Sequence, residues 1–357
     1  MKLSPALLSL LITILVAIQG CSTGRIDAAA SKTSPAAKSS PARSGALEDA
    51  RNGDVAAMTV VGNMYLNGDT IPKDEHEAYL WINKAANAGS ADGQYYLGRL
   101  YADGLGADRD YGRAAYWYQQ AANKDIAAAK NDLGELYYYG LGVSRDTAVA
   151  YGLFMAAAEQ GYANAQFRLS LFGPKALAHE GQPLYWLIQS ATNGHPVAQS
   201  NLGVSYLTGD GVPQDSKTAA KWFEKSASQG DAYGQFNLAR LFATGEGVQK
   251  NPECAALFYR KSAEQGLSVA QFSLGNLYAT GSGTKKDLVI ARSLIALSRS
   301  GNLGVNNITT AASMIRDIDK ELTSEQKAES DKITKTWKPG TPFPLRSQTW
   351  TPAASNG

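Results

Sequence analysis

Three histidines, His76, His179 and His195, are the side chains here best suited to move a proton or bind a transition metal near neutral pH. They stand far apart, no pair has H-x-x-x-H spacing, and His195 precedes Pro196 in a turn. No G-x-S-x-G elbow and no P-loop accompany them. Gly-x-Gly pairs such as Gly209-Asp210-Gly211 could cradle a phosphate, but they recur at a fixed interval, which marks them as turn chemistry. The reading is therefore of a chain with no catalytic residues, no metal, no cofactor and no small-molecule substrate. Of the two cysteines, Cys254 stands beside Ala255 at the expected start of a helix and reads as a small buried hydrophobe.

The other cysteine, Cys21, has a different context. Lys2 precedes an apolar run from Ala6 to Ile18, which suits a signal-peptide core and is short for a permanent span. Ile18-Gln19-Gly20-Cys21 then resembles a bacterial lipobox. That resemblance implies a cleaved signal at 1–20 and a mature chain starting at an acylated Cys21, and Ser22, not being Asp, implies the outer membrane, periplasmic side. Several acyl chains hold a protein durably, since each buried methylene contributes about 0.8 kcal/mol. Residues 21–45 are rich in Ala, Ser, Pro and Lys and cannot bury a core, so they read as a flexible tether spanning roughly 25–30 Å. Membrane contact is expected through the lipid alone, because Lys32, Lys38 and Arg43 are too few and dispersed to grip acidic lipid.

Beyond the tether one pattern returns with a period of 36 residues, with one gap of 33. Its clearest copy runs from Ala198 to Gly230. Ala198, Leu202, Gly203 and Tyr206 share one helical face, Gly209 and Gly211 supply a loop, and Asp215 can cap a second helix. Ala219, Trp222, Phe223 and Ala227 form the apolar stripe of that helix. The glycine register reads Gly62, Gly98, Gly134, Gly203 and Gly275, with Ser170 and Ala239 as small substitutes. The capping register reads Asp74, Asp110, Asp146, Asp215, Asn251 and Asp287. Trp81, Trp117, Trp186 and Trp222 share a further register, and these aromatics read as core.

Such a period means stacked helix pairs, because one pair cannot bury both of its faces. The pattern resembles the Sel1-like repeat, a relative of the tetratricopeptide repeat, over roughly Gly45 to Trp337. The resemblance implies an all-α, right-handed α-solenoid of about seven helix-turn-helix repeats over 46–302, with capping helices at both ends. Ala46 to Asn52 reads as the N-terminal cap and 303–337 as the C-terminal one, with a helix start at Thr323-Ser324-Glu325-Gln326. The Pro-rich tail 338–357 is expected to be extended or disordered. Lacking paired cysteines in its repeats, the chain departs from the cysteine-rich branch of Sel1-like proteins. The fourth copy, from Leu169 to Trp186, is degenerate: its Gly-x-Gly loop is missing, His179 falls at the capping register, and Pro174 and Pro183 imply altered local geometry.

Without reactive groups, what remains is a surface. By resemblance to tetratricopeptide domains, the first helix of each pair lines the concave side and holds a protein partner. The residues beside each Leu-Gly then face that partner: Tyr96, Arg99, Asp132, Glu135 and Tyr139 early, Arg168 in the odd repeat, and Asn201, Asn237, Arg240 and Asn276 late. Aromatic and Arg side chains most often anchor interfaces. Nucleic acid is not an expected partner, since the net charge is +2, or +1 without Lys2, and no basic stripe is present. Lipid-anchored Sel1-like proteins resemble immunity proteins that neutralise toxic lipase effectors, including phospholipases, delivered by contact-dependent (type VI) secretion. The alternative is a scaffold for an envelope or exopolysaccharide-export complex.

Overall fold

A computed structural model of the chain describes residues 40–68, 71–172, 183–301 and 303–344. Cys21, the signal and tether as far as residue 39, Pro174, His179 and residues 345–357 lie outside the described residues. All seventeen elements among the described residues are α-helices. The chain divides into two compact units, one reaching His195 and the other starting at Pro196.

The N-terminal unit begins with α1 (Ser40–Arg51) and continues as helix pairs: α2 (Val55–Asn67) with α3 (Glu75–Asn87), α4 (Ala91–Asp103) with α5 (Tyr111–Ala122), and α6 (Ala127–Tyr139) with α7 (Thr147–Ala158). The degenerate copy is a shortened pair, α8 (Ala163–Ser170) and α9 (Pro183–Thr192). The C-terminal unit holds α10 (Pro196–Thr208) with α11 (Ser216–Ser228), α12 (Ala232–Thr244) with α13 (Pro252–Glu264), and α14 (Ser268–Thr280) with α15 (Leu288–Ser298). It closes with α16 (Val305–Glu321) and α17 (Ser324–Thr336). Each unit is thus an α-solenoid of consecutively packed helix pairs.

The same local chemistry sets each pair. First helices stop where a glycine turns left-handed, as at Gly104 (φ 73°), whose N–H donates to Leu100 O. Second helices start where the expected Asp or Asn accepts from their free N–H groups, as Asp146 does from Ala148 and Val149. Between the helices, Gly134 lies against Phe154 so closely that a Cβ there would stand 2.8 Å from the ring. The equivalent residue across from Gly62 is Ile82, from Gly98 Tyr118, from Gly203 Phe223 and from Gly275 Ile295. These side chains, not the tryptophans just before them, fill the core. Trp81, Trp117 and Trp222 are only half-buried, although Trp186 is buried. Lysines three residues on cover two of them, Lys84 Nζ lying 4.7 Å from the Trp81 ring and Lys225 Nζ 4.2 Å from that of Trp222. Cys254 is buried.

Neighbouring repeats are tied by glutamine side chains that composition alone would place at the surface. Gln166 Nε2 donates to Ala158 O at 2.9 Å, and Gln94, Gln235 and Gln271 donate to the equivalent carbonyls. Three of this register's oxygens accept from the residue just past the end of the following second helix, Gln166 from Asn193, Gln199 from Gln229 and Gln235 from Gln265, at 2.8–2.9 Å. At Gln166 and Gln235 both ends of the buried amide are used, whereas the Gln94 oxygen is buried without a partner.

The C-terminal cap is fastened by Arg292. Its guanidinium reaches Asp319 of α16 and Asp331 of α17, each at 2.6 Å, above a buried Ser293–Ser330 hydroxyl pair. Helix α17 starts with a capping box between Thr323 and Gln326. The first residues of the tail, 338–344, carry no helix and are docked on the C-terminal unit. Gly340 and Phe343 donate backbone N–H bonds to Glu264, and the Phe343 ring is buried beside Trp337. Burial of the ring and the two hydrogen bonds to Glu264 offset part of the cost of ordering this segment.

Candidate functional site

The first helices present one face built from positions i, i+3 and i+7, which lie together on a helix. In the N-terminal unit these are Tyr96, Arg99 and Asp103 on α4, Asp132, Glu135 and Tyr139 on α6, and Arg168 and Leu171 at α8. In the C-terminal unit they are Asn201, Val204 and Thr208 on α10, Asn237, Arg240 and Thr244 on α12, and Ser273, Asn276 and Thr280 on α14.

The two sets differ chemically. Arg99 and Tyr139 are exposed, and the Tyr139 ring meets that of Tyr138 edge-on at 5.0 Å. Tyr96 is half-buried with its ring 5.5 Å from that of Tyr95. Asp132 is half-buried by area, yet its carboxyl lies deep among its neighbours. Burial raises its pKa above the ordinary value, opposed by hydrogen bonds from Asn131 and Tyr95 and by the charge of Arg99. The Tyr95 phenol is likewise pushed up, first by burial and then by Asp132. Glu135 and Arg168 form an ion pair. Burial raises the Glu135 pKa, and Arg168 opposes that rise. Part of the expected partner-binding set is therefore engaged within the unit.

Two cavities open on this face. One, of about 320 Å³, is lined by Glu135, Tyr138, Tyr139, Phe154, Arg168 and Leu171 among others. The other, of about 350 Å³, lies between α2 and α4 and includes Asn63, Lys73, Tyr96, Arg99 and Asp103. Glu135, Tyr139 and Arg168 thus share one cavity, and Tyr96 and Arg99 share the other.

In the C-terminal unit Asn201, Arg240 and Asn276 are exposed and Asn237 is half-buried. None of their side chains forms a hydrogen bond or ion pair among the described residues. Of the histidines, His76 lies at the start of α3 and the His195 ring stacks on Phe167 at 4.4 Å. Among the described residues no group of three or more His, Cys, Asp or Glu could hold a metal ion, and no helix is long and apolar enough to cross a membrane.

The Sel1 repeat model matches residues 55–90, 91–126, 127–162, 196–231, 232–267 and 268–298, more than half of the chain. The chain belongs to the Sel1 repeat family. Its matched copies coincide with the regular helix pairs and leave out 163–195, the shortened pair α8 and α9. Among solved structures, this Sel1 repeat protein is similar to a protective antigen of uropathogenic Escherichia coli strains displaying an SLR fold. Identity is 29% and the TM-score 0.68, over 83% of this chain and 63% of that one. A Sel1 repeat protein from Oxalobacter formigenes is 24% identical with a TM-score of 0.56, over 70% of this chain and 99% of that one. The immunity protein Pa5087 from Pseudomonas aeruginosa is 22% identical with a TM-score of 0.40, over 64% of this chain and 82% of that one. No curated protein matches the chain.

Proposed function

We propose that this Sel1 repeat protein is a protein-binding scaffold that acts by occupying a partner on the exposed faces of its first helices. The division of each first helix carries the proposal. One side repeats Leu, a small residue and an aromatic against the second helix, as Leu97, Gly98 and Tyr101 do. The other side changes from copy to copy and leaves Arg99, Tyr139, Asn201, Arg240 and Asn276 toward solvent. Packing needs the first set, whereas the second varies without affecting the core, as recognition requires.

In its finer form the proposal joins this face to the N-terminal sequence. Cys21 is acylated, the domain hangs from the outer membrane into the periplasm, and the partner is a toxic lipase effector neutralised by occupancy. The lipobox-like Ile18-Gln19-Gly20-Cys21 supports the anchoring, and membership of the Sel1 repeat family supports the binding. Metabolic labelling with a fatty acid tests the anchor: label is expected on the wild type and absent from Cys21→Ser, and label persisting on the variant overturns it. Capture from envelope extract tests the partner. A hydrolase silenced at one equivalent supports the immunity role, whereas recovery of envelope or polysaccharide-export components assigns the scaffold role.

A further inference from the structure

On the second helices, the residue just before the tryptophan register is exposed: Leu80 on α3, Tyr116 on α5, Gly152 on α7, Tyr185 on α9 and Lys221 on α11. Four residues on, and so on the same face, stand Lys84, Gln120, Ala156, Gln189 and Lys225. Lysine thus belongs to this face at α3 and α11, whereas α5, α7 and α9 read Tyr and Gln, Gly and Ala, Tyr and Gln. These three helices together carry one ionised side chain, Arg113, and it pairs with Asp110 at 3.4 Å. They stand side by side in the N-terminal unit. Gln160, beyond the end of α7, donates to Asp125, beyond the end of α5, and Asn193, beyond α9, lies 3.8 Å from the place a Cβ on Gly161 would take.

Each tyrosine is a braced platform. Tyr116 is 57% exposed and Tyr185 52%, yet both rings are held nearly perpendicular to the tryptophan that follows, at 5.1 Å from Trp117 and 5.0 Å from Trp186. Beside them, the Gln120 and Gln189 amides make no hydrogen bond among the described residues. Between them, Gly152 answers to nothing in the chain: its backbone is helical, and no atom lies within 4 Å of the place a Cβ would occupy. A glycine inside a helix destabilises it relative to alanine, so packing gives no reason for this one. What it leaves is a shallow trough with a tyrosine on either side.

That combination selects a ligand chemistry. An exposed aromatic ring stacks on the flat C–H face of a pyranose, and a side-chain amide, with two donors and an acceptor, suits hydroxyls that both donate and accept. The absence of unpaired charge fits a neutral ligand, whereas an acidic bilayer surface would favour the lysines that this face carries only at α3 and α11. We infer that Tyr116, Gln120, Tyr185 and Gln189 bind a neutral oligosaccharide whose chain crosses α7 over Gly152 and Ala156. The site lies on second helices and uses none of the first-helix residues, so it stands independently of the protein-binding reading.

The probes are linear hexasaccharides of glucose, mannose, galactose and N-acetylglucosamine, with a hexamer of galacturonic acid as the charged control, each titrated calorimetrically into the full chain. At least one neutral hexamer is expected to bind, with an affinity indifferent to salt. Tyr116→Ala and Tyr185→Ala should each weaken it at least about tenfold, the scale of losing an aromatic anchor. Tyr116→Phe and Tyr185→Phe should keep it, because the ring stacks and the hydroxyl does not. Gly152→Leu fills the trough where the chain has no atom, and should block binding without lowering the melting temperature. Arg99→Glu and Arg240→Glu should leave it unchanged. Failure of every neutral hexamer to bind, preference for the acidic one, or full affinity in Gly152→Leu or in the double Tyr116→Ala, Tyr185→Ala protein would overturn the inference. So would a wild type that binds no sugar but whose self-association or protein capture is lost in Gly152→Leu, which assigns the face to a protein.

Discussion

Lys130 Nζ donates to Asp125 Oδ1 at 2.5 Å, and Asp125 holds a left-handed φ of 69° that at its register otherwise belongs to Gly89, Gly161, Gly194, Gly230 and Gly266. Lys130 in turn stands where other copies place Gln94, Gln166, Gln199, Gln235 and Gln271. One repeat thus carries a charged pair at two registers that hold glycine and glutamine elsewhere, and Gln160 follows, donating to Asp125 Oδ1 at 2.9 Å. The Lys130 hydrogen bond, and then its charge, lower the Asp125 pKa. The pair therefore contributes stability above the ordinary carboxylate range and loses it as pH falls through the depressed value.

Restoring the family pattern at this contact should be cooperative. Asp125→Gly relieves the left-handed residue but strands Lys130, and Lys130→Gln strands Asp125. The double variant should melt higher than the sum of the single changes implies. A double-mutant cycle at neutral pH reads this coupling, and strict additivity would contradict the pairing.

The glycines of the helices should divide by what faces them. Gly134→Leu drives a side chain into the buried Phe154 ring and should cost about 1–3 kcal/mol or more. Gly152, on α7, has nothing within 4 Å of the place a Cβ would occupy, and Gly152→Ala should stabilise by about 0.5–1 kcal/mol. Thermal unfolding of the two variants checks both signs.

These contacts also show what the sequence discloses. The glycine, leucine and capping registers are legible because geometry holds each to one kind of residue in nearly every copy, with Ser170, Ala239 and Asn251 as close substitutes. The core position opposite each glycine is not, since Ile82, Tyr118, Phe154, Phe223 and Ile295 need share only bulk, and the neighbouring tryptophans draw the eye instead. The glutamine ties escape a hydropathy reading because Gln counts as a surface residue. Their recurrence at Gln94, Gln166, Gln199, Gln235 and Gln271 is the signal that would have found them. At the candidate site, spacing tells which side of a first helix is free but not which groups find each other across it. Glu135 and Arg168 are separated by almost a full repeat, and only the packing of α6 and α8 joins them.

Asp132 should give stability an unusual pH dependence. Its folded pKa is raised, so its contribution is fully present below the ordinary Asp value and is lost as pH rises through the raised one. Asp132→Asn should therefore unfold at higher temperature than wild type at neutral pH, with the difference closing as pH falls toward about 4. Melting curves that keep a constant separation across that window would contradict the burial argument.

The Arg292 clamp should hold the cap in place. Arg292→Met leaves Asp319 and Asp331 without their shared cation above the buried Ser293–Ser330 pair, at a cost of about 2 kcal/mol. Limited proteolysis should cut first within α16 and α17. Unchanged protection of these helices would show that apolar contacts suffice.

The most direct measurement of the central claim pairs binding with unfolding in a protein carrying both Arg99→Glu and Arg240→Glu, titrated against the partner captured from envelope extract. If the protein works by occupancy of its first-helix faces, affinity should fall at least about tenfold, because charge reversal places like charges where complementary ones met. Stability should shift by no more than about 0.5 kcal/mol from Arg240, which is exposed, and somewhat more from Arg99, whose charge supports the Asp132 carboxylate. Undiminished affinity in the doubly reversed protein, with its fold intact, would contradict the account.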